Sequence, residues 1–203
     1  MYARANMFTA DPAKLEDGIR YVGDNVIPMV NAVPGNVGLA MTVDRDTGEG
    51  AVVTFWDSME SLRASEDAVK SVRDEAGQIL GGSLQPQVLE IAEQQVREMP
   101  RPGCSSRVTM VEMAPTEVDK SLDVFRTSTI PALDALDGFC AAMMGADRET
   151  GRCVAITTWR DRAAMEASRE RAAGLRQEVA DKAQGTVSSV AEVEVVHFVL
   201  NAR

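Results

Sequence analysis

The sequence contains itself twice. Pro28 and Pro131, Gly35 and Gly138, and Trp56 and Trp159 are each 103 positions apart, and Asp44-Arg45-Asp46-Thr47-Gly48 returns at the same offset as Asp147-Arg148-Glu149-Thr150-Gly151. The register needs no gap: residues 4–96 laid over 107–199 are identical at 20 of 93 positions. Most differences keep apolar character, as at Val30/Leu133, Val53/Ile156, Leu62/Met165 and Val72/Leu175. A period of this length marks a duplicated domain, because solenoid repeats are several times shorter. The segment Glu98-Met99-Pro100-Arg101-Pro102-Gly103-Cys104 has two prolines, a glycine and no apolar period, which suits a linker. Copy one is therefore expected over residues 1–98, the linker over 99–105 and copy two over 106–203.

Each copy reads as strand, helix, strand, strand, helix, strand. Residues 2–9 suit a strand, and Asp11-Pro12 supplies an N-cap followed by a proline in the first turn, where its missing N–H costs nothing. Leu15, Ile19, Val22, Val26 and Val30 then recur at helical spacing, matched by Val118, Leu122, Phe125 and Leu133, with Pro28 and Pro131 placed to kink or end the helix. Gly35 and Gly138 open a hairpin: residues 37–43, a turn whose Gly48 supplies a left-handed conformation, and residues 51–56. Asp57, Ser58 and Glu60 cap a second helix with Leu62, Val69, Val72 and Ala76 on its apolar stripe, and residues 88–96 and 190–200 close the copies. The order βαββαβ is the α+β, ferredoxin-like unit, a four-stranded antiparallel sheet with both helices on one face. The bare faces of two such sheets can cover each other within one chain, so the expected architecture is two tandem units whose sheets pack face to face as a barrel.

Several chemistries are disfavoured by count alone. Cys104, Cys140 and Cys153 show no Cys-x-x-Cys spacing, and His197 is the only imidazole, so zinc fingers, redox pairs and His-rich metal sites do not fit. No metal is expected. Gly-x-Ser-x-Gly and phosphate-cradling glycine signatures are missing. Lys+Arg 21 against Asp+Glu 31 gives a net charge of −10, which argues against nucleic acid and anionic membrane as partners. The apolar runs are too short to span a bilayer and the start lacks a leader pattern, so a cytoplasmic protein, monomeric or homodimeric, is expected.

The stretches Ile27-Pro28 through Pro34-Gly35-x-x-Gly38, the Asp-Arg-x-Thr-Gly turn, and Phe55-Trp56-Asp57-Ser58-Met59-Glu60-Ser61-Leu62 resemble the antibiotic biosynthesis monooxygenase (ABM) domains of the dimeric α/β-barrel superfamily. Copy two echoes them in Ile130-Pro131, Asp137-Gly138 and Thr158-Trp159-Arg160-Asp161. The resemblance implies cofactor-independent oxygenation of a small aromatic molecule (a quinol, an anthrone or a polyketide-like phenol) in a pocket between sheet and helices. It implies catalytic roles for Asn6, donating to a developing oxyanion, and Trp56, stacking on a flat substrate. Arg4, two residues before Asn6 and on the same strand face, would add positive charge, and Tyr21 would border the pocket mouth. Arg107 and Trp159 are the second copy's equivalents, while Thr109 replaces Asn6. The haem-degrading branch is similar but carries a histidine on the second helix, where this sequence has Ser65 and Glu66, or Ser168 and Arg169.

Each of these residues also has a plain packing role open to it. A tryptophan repeated at a strand-to-helix corner suits a core, an asparagine in a strand suits a backbone hydrogen bond, and a strand arginine suits an ion pair. His197 alternates with Val193, Val195 and Val199 and so points to a buried face; it is also the one side chain suited to act as a base near neutral pH. Met41 and Met144 suit gap-filling in the core. The alternative function is a non-catalytic barrel that binds a small hydrophobic ligand or is stress-associated, and a third is a purely structural subunit.

Overall fold

The computed structural model describes residues 1–81 and 84–201. In chain order the elements are β1 (Tyr2–Thr9), α1 (Leu15–Tyr21), α2 (Ile27–Asn31), β2 (Asn36–Val43), β3 (Glu49–Trp56), α3 (Met59–Ala64), α4 (Glu66–Leu80) and β4 (Gln85–Val96). The same series follows as β5 (Ser105–Glu112), α5 (Val118–Val124), α6 (Ile130–Asp134), β6 (Phe139–Asp147), β7 (Arg152–Trp159), α7 (Arg162–Ala167), α8 (Arg169–Lys182) and β8 (Thr186–Leu200). Hydrogen bonding orders the strands β1-β3-β2-β8-β5-β7-β6-β4 in an eight-stranded closed barrel. The chain forms two compact units, Met1–Leu89 with Val193–Arg203, and Glu90–Glu192. In the first, the end of β8 pairs with β2, from Gly38 opposite Leu200 to Val43 opposite Glu194. In the second, the end of β4 pairs with β6, from Glu90 opposite Ala146 to Val96 opposite Ala141.

Both first helices are wider in the middle than their periodicity predicts. A π-helical turn, Val22–Val26 or Phe125–Thr129, sits between the two α segments of each copy. It directly precedes Ile27-Pro28 or Ile130-Pro131; proline has no N–H to give the turn behind it and its ring crowds that turn. The helices still bury their apolar stripe. Leu15, Val22, Val26 and Val30 pack with Leu39, Met41, Val69 and Leu80 in the first unit, and Val118, Leu122, Phe125 and Leu133 pack with Met144, Met165 and Leu175 in the second.

The second helix of each copy is not continuous. It breaks at Ser65 and at Ser168, both buried, whose hydroxyls donate to the carbonyls of Leu62 (2.7 Å) and Met165 (2.7 Å). A serine bonding back three residues competes with the backbone ladder and turns the chain. The side chain of Ser58 caps α3 by accepting from Ser61 N–H, and Asp161 caps α7 by accepting from Ala164 N–H. β4 and β8 begin at Gln85 and Thr186, before the expected starts at Val88 and Val190.

The hairpin turns show why glycine recurs at the shared offset. Gly48 and Gly151 have φ of 75° and 77°, and a Cβ would lie 2.2 Å from the Ala10 carbonyl oxygen and 2.0 Å from that of Met113. These oxygens belong to backbone that is pinned in return, because Ala10 N–H donates to Gly48 O (2.8 Å) and Met113 N–H to Gly151 O (3.1 Å). Gly151→Ala is therefore expected to cost about 2 kcal/mol or more, read as a lower urea midpoint at unchanged slope.

Candidate functional site

Cross-strand pairing sets one polar row on the helix-facing side of the first unit's sheet. Arg4 lies opposite Thr54 and Asn6 opposite Val52. Residues two apart on a strand share a face, so Arg4 and Asn6 both border a cavity roofed by Val22, Val26, Val69 and Arg73 from the helices. The second unit repeats the arrangement, with Arg107 opposite Thr157 and Thr109 opposite Ala155 below a second cavity. Phe125, Thr129, Ala172 and Arg176 take the places of Val22, Val26, Val69 and Arg73.

Arg4 is 3% exposed and its donors are spent on a fixed set of acceptors. Nη1 donates to Ser65 Oγ (2.9 Å) and Nη2 to Leu62 O (2.7 Å), and Nη2 stands 3.0 Å from Glu66 Oε2 as an ion pair. The helix break at Ser65 is thus where the guanidinium enters, sharing the Leu62 carbonyl with the Ser65 hydroxyl at the end of α3. Arg73 grips the same carboxylate in fork geometry, Nη2 to Oε1 at 2.5 Å and Nη1 to Oε2 at 3.3 Å. Burial lowers the Arg4 pKa, with Arg73 adding to the effect and Glu66 opposing it. Hydrogen bonding from Arg73 holds the Glu66 carboxyl below its ordinary range, and the same contact raises Arg73. Two guanidiniums share one carboxylate, which leaves a formal surplus of one positive charge beside an aliphatic cavity.

Asn6 is 6% exposed; its Nδ2 donates to Val52 O (3.3 Å) while Oδ1 has no hydrogen-bond partner. A buried unpaired amide oxygen is costly unless something else satisfies it. The free atom at this position is an acceptor, and one Nδ2 hydrogen also remains for a ligand.

The other sequence candidates lie around this centre, outside the lining of the cavity. Trp56 is fully buried, donates from Nε1 to Thr54 Oγ1 (3.0 Å), and carries the Arg4 guanidinium 5.8 Å from its ring centroid. Trp159 is buried likewise, edge-on to Phe139 at 5.7 Å between centroids. Tyr21 is half-buried on α1, and burial, with a hydrogen bond to Glu75, pushes its phenol up to about 12. His197 bonds through Nε2 to Ile19 O (2.8 Å) and fills the space that a side chain at Gly23 would need. The expectation that His197 shares a face with Val195 fails for a definite reason. A register shift puts His197 opposite Met41 and Val195 opposite Thr42, so a two-residue step along β8 changes face.

Two cavity arginines, Arg73 and Arg176, were not singled out by motif, because an arginine on an amphipathic helix reads as solvated. Their signal is the duplication: Arg73/Arg176, Ser65/Ser168 and Thr54/Thr157 are all identical at the 103-residue offset. All three cysteines are buried, and burial pushes the Cys140 thiol up to about 12 and Cys153 up to about 11, so neither is a thiolate near neutral pH. Among the described residues no group of three or more His, Cys, Asp or Glu side chains is placed to hold a metal ion, and no helix is long and apolar enough to cross a membrane.

Residues 1–76 match the family described as antibiotic biosynthesis monooxygenase. Over 196 residues the chain is 33% identical to the uncharacterized protein Rv2558 of Mycobacterium tuberculosis, covering 96% of this chain and 83% of that one. The chain belongs to the antibiotic biosynthesis monooxygenase family. Among solved structures, an anthrone oxidase-like protein superposes with a TM-score of 0.71 at 19% identity, covering 98% of this chain and 92% of that one. A heme-degrading enzyme from Listeria monocytogenes superposes with a TM-score of 0.53 at 8% identity, covering 96% and 99%. At those identities the likeness is one of fold, and the tandem ferredoxin-like barrel is the ABM architecture carried in one chain. In this ABM chain Ser65 and Glu66 bind Arg4, and their counterparts Ser168 and Arg169 bind Arg107 and Glu192.

Proposed function

We propose that the first unit's cavity is the reaction site of a cofactor-independent monooxygenase acting on a small aromatic substrate of the quinol, anthrone or polyketide-like phenol class. The observation that carries this reading is the unpartnered Asn6 Oδ1, buried beside a cationic cluster in an otherwise aliphatic cavity. Asn6 Oδ1 accepts the substrate hydroxyl, and as that proton leaves to water the free Nδ2 hydrogen meets the developing oxyanion. Arg4 and Arg73 favour the anion through their net charge, an effect that the low-dielectric surroundings strengthen. Trp56 acts from below as the support that holds the Arg4 guanidinium in place. The electron-rich anion itself reduces O₂ by one electron; the resulting radicals combine into a C–O bond, and the peroxide loses water. For a CH₂ group oxidised to C=O, one oxygen atom of O₂ enters the product and the other leaves as water with both hydrogens. Membership of the ABM family and the fold shared with an anthrone oxidase-like protein support this class of substrate.

Oxygen uptake with anthrones and quinols tests the proposal. Asn6→Ala is expected to lower turnover on the order of 100-fold while changing ligand affinity little, because its contribution is made mainly to the charged state. Turnover unchanged in that variant would remove Asn6 from the mechanism. A second reading, a barrel that binds a hydrophobic molecule without reacting it, is favoured by one observation. Among the described residues, the lining of this cavity contains no carboxylate, imidazole or phenol. Under that reading a ligand raises the melting temperature without consuming oxygen.

A further inference from the structure

The two cavities differ in how their arginines are neutralised. In the first unit Glu66 serves Arg4 and Arg73 together. At the same offset the second unit has Arg169 in place of Glu66, and its carboxylate comes from Glu192 on β8. Glu192 is fully occupied, accepting from Arg107 Nε (3.1 Å) and Nη2 (2.9 Å) and from Arg169 Nη2 (2.7 Å). Arg107 also donates from Nη1 to Ser168 Oγ (3.1 Å) and from Nη2 to Met165 O (2.8 Å). Nothing comparable remains for Arg176, the counterpart of Arg73. Its Nη1 is buried on the cavity wall with no hydrogen-bond partner, and Thr129 Oγ1, on a residue 6% exposed that borders the same cavity, also has none. Three guanidiniums against one carboxylate leave two positive charges in surplus there, and two buried donors are left unmade, each at a cost that a ligand would remove.

We propose that the second unit's cavity binds a small carboxylic acid with an apolar body, its carboxylate accepting from Arg176 Nη1 and Thr129 Oγ1. The body lies against Phe125, Leu133, Leu175 and Val179, which line the rest of the cavity. Burial and the neighbouring Arg107 lower the Arg176 pKa, with Glu192 opposing, so an anion at this point relieves a strained cation. A carboxylate suits the site, because the two free donors match its two oxygens. This site is independent of the reaction proposed for the first unit.

Isothermal titration of the full chain with 4-phenylbutyrate and with 4-phenylbutan-1-ol tests the inference. The acid is expected to bind on the order of tenfold more tightly than the alcohol. Arg176→Met is expected to erase that preference while leaving alcohol binding and the melting temperature unchanged, since Arg176 takes part in no ion pair among the described residues. Arg169→Glu restores a carboxylate where copy one has Glu66 and is expected to erase the preference too, by pairing Arg176 internally; it decides the matter if Arg176→Met fails to fold. An acid that binds no better than the alcohol, or a preference that survives both substitutions, overturns the proposal. Asn6→Ala is expected to leave acid binding intact while removing oxygen uptake, so the two functional readings fail separately.

Discussion

Trp56→Ala is expected to destabilise the protein by about 3–5 kcal/mol, the range for truncating a fully buried large aromatic. The indole has no exposed surface and lies in one cluster with Leu39, Met41, Leu62 and Val69. Its removal leaves a cavity in that cluster and withdraws the ring face beneath Arg4. Trp56→Phe, which keeps most of the apolar volume, is expected to cost about half as much or less. Urea unfolding followed by tryptophan-independent circular dichroism measures both. The pair also separates support from stacking: a supporting Trp56 leaves ligand affinity in the folded Phe variant nearly unchanged, whereas a stacking one would lower it markedly.

Glu192→Ala is expected to cost about 3 kcal/mol, by leaving the Arg107 guanidinium, 2% exposed, without its anion. The carboxylate side chain is 24% exposed, which places the effect at the low end for a buried pair. The pH dependence follows from direction alone. Hydrogen bonding from Arg169, then from Arg107, lowers the folded-state pKa of Glu192 below its ordinary 4.5, against the opposing effect of burial. Its contribution is therefore fully present above about pH 4.5 and is lost as pH falls through the lowered folded value. The wild-type urea midpoint should drop more steeply between pH 5 and pH 3 than that of the variant, at roughly constant slope. Parallel acid profiles would mean that Arg107 is stabilised by Ser168 and Met165 alone.

These two residues show how unevenly the site was written in the sequence. Trp56 announces itself through its repeat at Trp159, and Arg4 and Asn6 declare a common face by their spacing, because side-chain alternation in a strand is local geometry. Glu192 and Glu66 carry no such mark. They do the same work in the two units from different elements, β8 and α4, so no offset relates them. The partner of Ser65 at the helix break was equally hidden, since the Arg4 guanidinium that donates to its hydroxyl lies 61 positions away. His197 misled for a similar reason: the β-bulge that turns it is a property of the pairing with β2, and nothing within residues 193–199 records it.

The amino-acid sequence by itself determined the duplication, the order of elements, the glycines at the hairpin turns and the apolar stripes of the helices. All of these are decided within a few residues by backbone sterics and periodicity, and they recur because the segment recurs. Tertiary structure alone decided which charges neutralise one another, and therefore that the two equivalent cavities are electrostatically different. Ion pairing depends on atoms brought within a few ångströms from distant parts of the chain, and a single exchange of Glu66 for Arg169 between the copies redirects the ion pairs around it while the bonds to Ser65 and Leu62 recur at Ser168 and Met165.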